Sequence, residues 1–345
     1  MAVRSVFIHI VTFNHEGTIA ACLSSLLNQD ISPFGGSVTI LVTDNDSTDA
    51  TPSVVEQFVE RGVVLNRSRV NLGFAAGQNW GIARFLESRA ELCVLLNPDV
   101  SLEPGAIREL VAGMDRWPDF GAATGLLLRS DENLVPLTPE KIDSAGMIFS
   151  SSFRHFDRFA CRAPASIELR EEPIEGATGA FVAFRRVFIE KVGLAVENNE
   201  PLYRVYPGLR AGEGYRYPLF DEAFFAYRED AELSLRAKLL GEKFVFLPLS
   251  RGYHQRRVTP AVRSILPAEI NKLGVRNRFL LQIAVFSLYH HWWAVFGGLF
   301  LRNGLVVVGV LLRERSSISA FCELFTLFPR AIARRRELFR RIRAN

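Results

Sequence analysis

The chain has 345 residues, 48% apolar and 23% charged, enough for a substantial core in one large domain or two. Its mean hydropathy of +0.12 is high for a soluble protein, and the pI of 9.0 comes from one end only. From Arg302 to Asn345, ten arginines face Glu314, Glu323 and Glu337, a net of +7, so the rest sums to −3 against a chain total of +4. A slightly acidic body with a basic tail argues against nucleic-acid binding and points the tail at anionic surfaces.

Cys22, Cys93, Cys161 and Cys322 stand far apart with no CxxC pair. Cys22 and Cys93 fall in apolar patterns, as buried thiols of a reducing compartment do. Residues 3–11 are β-rich, contain Arg4 and His9 and lack a cleavage site, so they read as a strand rather than a leader. The expectation is a cytosolic active domain.

The first strand, residues 6–11, ends in Thr12-Phe13-Asn14. A helix follows from about Thr18, with Ile19, Cys22, Leu23, Leu26 and Leu27 on one face. The second strand, 38–42, ends in Asp44-Asn45-Asp46-Ser47-Thr48-Asp49, and Thr51-Pro52 reads as an N-cap followed by Pro at the first helical position. A short strand at 63–65 leads to Asn71-Leu72-Gly73-Phe74, which opens a helix reaching Phe85. The apolar run 92–96 then ends in Asn97-Pro98-Asp99, where Pro98 stiffens the turn and biases Asn97 toward extended geometry. Strands alternating with helices predict an α/β doubly wound, mostly parallel sheet, whose ligands bind beyond the carboxyl ends of the strands.

Downstream, Gly179-Ala180 precede an apolar strand at 181–184. Residues 195–218, rich in Tyr, Gly, Arg and Pro, read as a loop insertion. Glu229-Asp230 open a helix to about Leu240 with Gly241 as its C′ residue, and a strand at 244–247 precedes His254. Residues 279–301 carry no Asp, Glu, Lys or Arg, which is length enough to span a bilayer. Gln282, Ser287 and a central aromatic–His cluster argue against spanning. The expectation is two helices lying in or dipping into the cytoplasmic leaflet, with the arginines of 330–343 on lipid phosphates. The alternative is a helical hairpin packed on the domain.

Val11-Thr12-Phe13-Asn14, Thr43 to Asp49, Asn71 to Phe74, Leu96-Asn97-Pro98-Asp99 and Phe225 to Asp230, followed by His254, together resemble the inverting family 2 glycosyltransferases, particularly rhamnosyltransferase-like members. The resemblance runs from Val6 to about Arg257. It implies a GT-A domain at 1–258, with a nucleotide-sugar half (1–100) and an acceptor half (101–258), followed by a membrane-associated helical region at 259–345. It also implies a nucleotide-diphosphate sugar donor, a lipid-linked or polysaccharide acceptor and a divalent cation, Mg²⁺ or Mn²⁺. By the same resemblance, Thr12 and Phe13 line the nucleoside pocket and Asp44 accepts from the base. Asn71, Gly73 and Asn79 lie by the ribose and phosphates, Asn97 stands at the first position of a DXD-like turn, and Asp99 and His254 meet the metal. Gly179 and Ala180 border the acceptor.

Displacing a nucleoside diphosphate needs the leaving charge neutralised and the attacking hydroxyl deprotonated. Asp230 is assigned as that base with Glu229 beside it, since adjacent acids disfavour double ionisation. Asp230 also fits a helix N-cap. Asp221 and Glu222 read as a solvated turn; Arg256 and Arg257 either hold a diphosphate or face solvent. An alternative is a nucleotide-binding scaffold that has lost catalysis, supported only by Asn97. A nicotinamide oxidoreductase is excluded because no GxGxxG follows the first strand.

Overall fold

The structure, a computed structural model, describes residues 5–30, 36–195, 198–256, 266–296 and 298–344. At its centre lies β1 (Ser5–Thr12), whose residues after Ser5 are all buried, as in a strand covered on both faces. It pairs in parallel with β2 (Ser37–Asp44) on one side and β4 (Leu92–Leu96) on the other, and β3 (Val63–Arg67) continues beyond β2. The sheet then passes through β11 (Phe181–Arg185), β6 (Ala122–Arg129), β12 (Phe244–His254) and β10 (Glu172–Ile174).

β11 is antiparallel to both neighbours, β4 and β6. Its N-terminal end, with Gly179-Ala180 just before it, therefore lies at the carboxyl edge of the parallel strands. β12 runs parallel to β6 and shifts register between Leu247 and Arg251. It is longer than the expected 244–247, and His254 is its last residue. Short β5 (Val100–Leu102) pairs with β12, setting Val100 opposite His254, and β7 (Ile142–Ser144) pairs with β6. β8 (Met147–Phe149) and β9 (His155–Asp157) form a separate ribbon.

Helices cover both faces. α1 (Ile19–Leu27), α2 (Thr51–Glu56) and α4 (Ala106–Arg116) share one apolar core with the sheet. α3 (Gly73–Glu87), α5 (Arg186–Val192) and α7 (Glu229–Leu239) share the opposite one. α3 lies unusually close to β1: a Cβ on Gly81 would stand 2.1 Å from the His9 ring. His9 is pinned by Gln78 (2.7 Å) and Thr43 (2.9 Å), and burial pushes its pKa down to about 4, so it is a neutral spacer. Thr51 is the first residue of α2 rather than its cap; its hydroxyl accepts from the His15 amide, while its own amide bonds Asp49.

A third core joins α3, α6 (Glu200–Val205) and α7 to the C-terminal helices α8 (Ala268–Val285), α9 (Leu288–Phe296) and α11 (Ser319–Ala344), and α10 (Leu299–Arg313) adds Leu299. The expected loop at 195–218 thus contains a helix, because Leu202 and Tyr203 have α11 to pack against. Two arginines expected on lipid phosphates are instead buried: Arg330 and Arg334 pair with Asp221 at 2.6 and 2.8 Å. Arg335 and Arg341 donate to backbone carbonyls of α8 and of the end of α5. On α8, fully buried Arg276 pairs with Glu323 and donates to the carbonyls of Ala223 and Phe224, while Asn277 donates to Phe224, Ala226 and Tyr227.

Arg276→Met keeps the side-chain stem but leaves these acceptors unpaired. It should cost about 3–5 kcal/mol, the usual loss on breaking a buried pair, measurable as a lower urea midpoint with an unchanged slope.

Candidate active site

Three strand ends meet at one edge. Thr12 and Asp44 are register partners, and the Asn45 amide donates to the Thr12 carbonyl at 2.8 Å. Asp44 accepts from the Ser47 amide with one oxygen. Its other oxygen and the Thr12 hydroxyl are buried without a hydrogen-bond partner. Phe13, beside them, is 40% exposed, a ring open to stack on a planar ligand.

Asn45 is a site-building residue that the sequence reading passed over. Its amide nitrogen donates to Asn71 Oδ1 (3.1 Å) and the Gly73 carbonyl (3.0 Å), and its oxygen accepts from the Leu72 amide. It staples the end of β2 to the start of α3. Asn71 Oδ1 also accepts from the Gly73 amide at 2.8 Å, so that oxygen is committed to the turn. Gly73 has φ +72°, and a Cβ there would stand 2.6 Å from both the ring and the carbonyl oxygen of Phe225, so only glycine fits. Asn79 is placed differently from expectation. It is fully buried one turn deeper in α3, with its amide spent on Phe220 and Glu222, so it braces that segment instead of meeting a ribose.

At the end of β4 the Asn97 amide donates to the Ala180 carbonyl at 2.9 Å, joining the DXD-like turn to the start of β11. The Asn97 side-chain oxygen is buried with no hydrogen-bond partner. Asp99 lies 3.4 Å from His254 Nε2, and His254 Nδ1 is held at 2.7 Å by Asp143. Asp143, fully buried, also meets Arg256 at 2.7 Å. Burial opposes charge on His254, but the Asp143 and Asp99 carboxylates override it and raise its pKa to about 9. Arg256 is thereby committed to Asp143 and Asp157 (2.5 Å); Arg257 falls outside the described residues.

Glu229 and Asp230 open α7. Asp230 is the second residue of the helix, not its cap; the cap position is Arg228, in left-handed geometry. Asp230 accepts from the Gly179 amide at 3.1 Å and from the Ala231 amide at 2.7 Å, so the second acid of α7 and the glycine before β11 are in direct contact. Glu229 is buried with one carboxyl oxygen unpartnered; that burial, and then the Asp230 charge, hold its pKa well above the usual carboxylate range. His155 on β9 is a second residue that the sequence concealed. Its Nδ1 is buried without a partner, and burial lowers its pKa against the pull of Asp230. Asp221 and Glu222 are not a solvated turn: both are buried, Asp221 against Arg330 and Arg334, Glu222 against Arg216 at 2.8 Å.

A curled, mostly parallel sheet with polar residues at the carboxyl ends of its first strands, an Asn-Pro-Asp turn at its centre and an acidic pair bonded to Gly179 beside that turn is the GT-A architecture. Among solved structures, the fold is similar to Staphylococcus aureus TarS 1-349 in complex with UDP-GlcNAc, with a TM-score of 0.55 at 14% identity, covering 98% of this chain and 90% of that one. It is also similar to GalNAc-T7 with UDP, GalNAc and Mn²⁺, with a TM-score of 0.58 at 14% identity, covering 82% of this chain and 48% of that one. The model of glycosyl transferase family 2 matches residues 7–193. The chain belongs to glycosyl transferase family 2 and is a glycosyltransferase. It is 25% identical over 299 residues to N-acetylglucosaminyl-diphospho-decaprenol L-rhamnosyltransferase of Mycobacterium tuberculosis, covering 81% of this chain and 86% of the relative.

Glu229 supplies a pH test. Its folded pKa exceeds the ordinary 4.5, so the folded protein keeps a proton that the unfolded chain releases. Stability should fall as pH rises above about 4.5, until the folded pKa is passed. Glu229→Gln removes this titration, so its Tm advantage over the parent should widen between pH 4.5 and 8. A gap that stays constant with pH would mean that Glu229 ionises normally.

Proposed function

We propose that the chain transfers a sugar, with rhamnose the leading candidate, from a nucleoside-diphosphate donor to a hydroxyl of a lipid-linked acceptor, with inversion at the anomeric carbon. The observation that carries this reading is the set of buried, unpartnered polar atoms on Thr12, Asp44 and Asn97 at the carboxyl ends of β1, β2 and β4, with Asp230 joined to the same edge through Gly179. Buried polar atoms without partners are costly unless a ligand completes them. The acceptor class and the rhamnosyl group come from the name of the mycobacterial relative.

Asp230 takes the proton of the attacking hydroxyl. Its two oxygens are aimed by the Gly179 and Ala231 amides, and Glu229 holds the proton of the pair, leaving Asp230 to accept one. Thr12, Phe13 and Asp44 take the nucleoside, and Gly179-Ala180 leave room for the acceptor. For a divalent cation the candidate donors are the Asp99 carboxylate, the orphaned Asn97 oxygen and His254 Nε2, which would have to give up its proton to the incoming ion. Among the described residues there is no group of three or more His, Cys, Asp or Glu side chains that could hold a metal. One carboxylate, one imidazole and one amide oxygen nevertheless fit an ion that fills its remaining positions with water and diphosphate oxygens. Asp143 would fix the imidazole as carboxylates fix metal-binding histidines elsewhere. Such an ion would neutralise the leaving diphosphate.

The site is proposed to work at the cytoplasmic face of a membrane, the chain lying on the surface. Among the described residues no helix is long and apolar enough to cross a bilayer. α9 and α10 nevertheless expose Trp292, Phe300, Leu301, Leu305 and Leu312, with Leu301 at 72%, an apolar face suited to the interfacial region.

Asp230→Asn should lower turnover by about 10²- to 10⁴-fold, the usual worth of a general base, while nucleoside-diphosphate binding, read by thermal shift, survives. Unchanged turnover would overturn the assignment. Leu301→Glu with Leu305→Glu removes two anchors worth about 1.5–3 kcal/mol each. It should shift the protein from the pellet to the supernatant in vesicle sedimentation, and continued pelleting would rule out this face as the anchor.

A further inference from the structure

Between α8 and α10 lies a cleft of ≈ 860 Å³ that the reaction as described leaves unused. Arg154, Arg228, Arg278, Arg302, Arg313 and Arg315 line it, and among the described residues Glu314 is the only acid on its wall. Arg278 is 5% exposed, its Nε donates to Asn303, and one of its guanidinium nitrogens is buried with no partner. Burial and then the charges of Arg302 and Arg154 depress its pKa to about 10, and Arg154 is depressed by burial and by Arg302. Arg278 and Arg154 thus lose hydration and are repelled by Arg302. Folding alone gains nothing from that arrangement, whereas a polyanion would offset both costs.

Two further features define the ligand. Gly274 of α8 and Gly309 of α10 both line the cleft, and a Cβ on either would meet nothing within 4 Å, so room has been left. α10 itself has two sides. Arg302, Val306, Gly309 and Arg313 line the cleft, while Leu301, Leu305, Val308 and Leu312 are exposed. A phosphate-bearing head with a hydrocarbon tail matches both sides, and a free anion matches only one. The lining also includes Arg228, the residue before Glu229-Asp230.

We infer that this cleft binds the diphosphate of a lipid-linked acceptor, with the lipid leaving over the exposed face of α10 and the acceptor sugar passing Arg228 to reach Asp230. The inference rests on the lipid-linked acceptor proposed above and adds the place where its phosphates are held.

The test is calorimetric binding to the full chain in neutral detergent, using N-acetylglucosaminyl-diphospho-polyprenol, inorganic pyrophosphate and, separately, phosphatidylglycerol vesicles. Arg302→Gln and Arg278→Gln should each weaken binding of the diphospho-lipid at least tenfold. Nucleoside-diphosphate binding should be retained, and Tm should be unchanged or raised because repulsion is relieved. Gly309→Phe, which fills the cleft without altering charge, should weaken binding to a similar extent. Wild-type affinity in these variants would overturn the proposal. So would a loss confined to phosphatidylglycerol vesicles, which would make the cluster a headgroup site, or pyrophosphate binding as tightly as the diphospho-lipid. If binding depends on the arginines but no sugar is transferred, the functional reading falls and the cleft assignment stands. Transfer to the diphospho-lipid that ignores the arginines gives the converse.

Discussion

The site depends on a backbone that the chain would not adopt unaided. Phe225, Tyr227 and Arg228 all have positive φ, at 62°, 68° and 72°, each a conformation costing about 1–3 kcal/mol for a side-chain-bearing residue. This segment carries the chain into Glu229-Asp230. It is held from one side by Arg276 and Asn277, which take up the carbonyls of residues 223, 224, 226 and 227. From the other side, α11 holds Asp221 through Arg330 and Arg334. The Phe225 carbonyl in turn accepts from Ala75, and its ring closes over Gly73. The start of α3 and the acidic pair are therefore set against each other through one strained turn.

The reversed strand β11 makes the second alignment. A fully parallel sheet would put the residues before β11 on the far edge, away from the ligand. Running antiparallel, β11 brings Ala180 to Asn97 and Gly179 to Asp230. The antiparallel pairing of β5 with the end of β12 likewise places Asp99 beside His254. Residues far apart in the chain are brought together by backbone ladders, and the side chains need only point outward.

Strand ends were legible in the sequence because an apolar run stopping at Thr12, Asp44 or Asn97 has a direct physical meaning. So were Glu229-Asp230, two acids at the head of a helical pattern. The mostly parallel sheet followed from strand–helix alternation, while the sense of β11 did not, since an apolar run reads the same in both directions. Asn45 lies just past a strand end and His155 opens a three-residue strand too short to show a period, and their importance comes from partners 26 or more residues away. The basic tail misled for a different reason. Composition counts charges without saying which are buried, and Arg330 and Arg334 look in sequence like Arg336 and Arg340, which are exposed.

The match to the family model ends at residue 193, whereas the acidic pair and His254 lie beyond it, steadied from inside the match by Gly179, Asp99 and Asp143 and from outside it by α8 and α11. Part of the clamp on the 221–230 segment comes from α11, the last helix of the chain. The sheet and the ends of β1, β2 and β4 are built without α11, whereas Asp221 depends on its two arginines. A change far along the chain, at Arg330 or Arg334, would therefore be felt at the turn that leads into Glu229-Asp230.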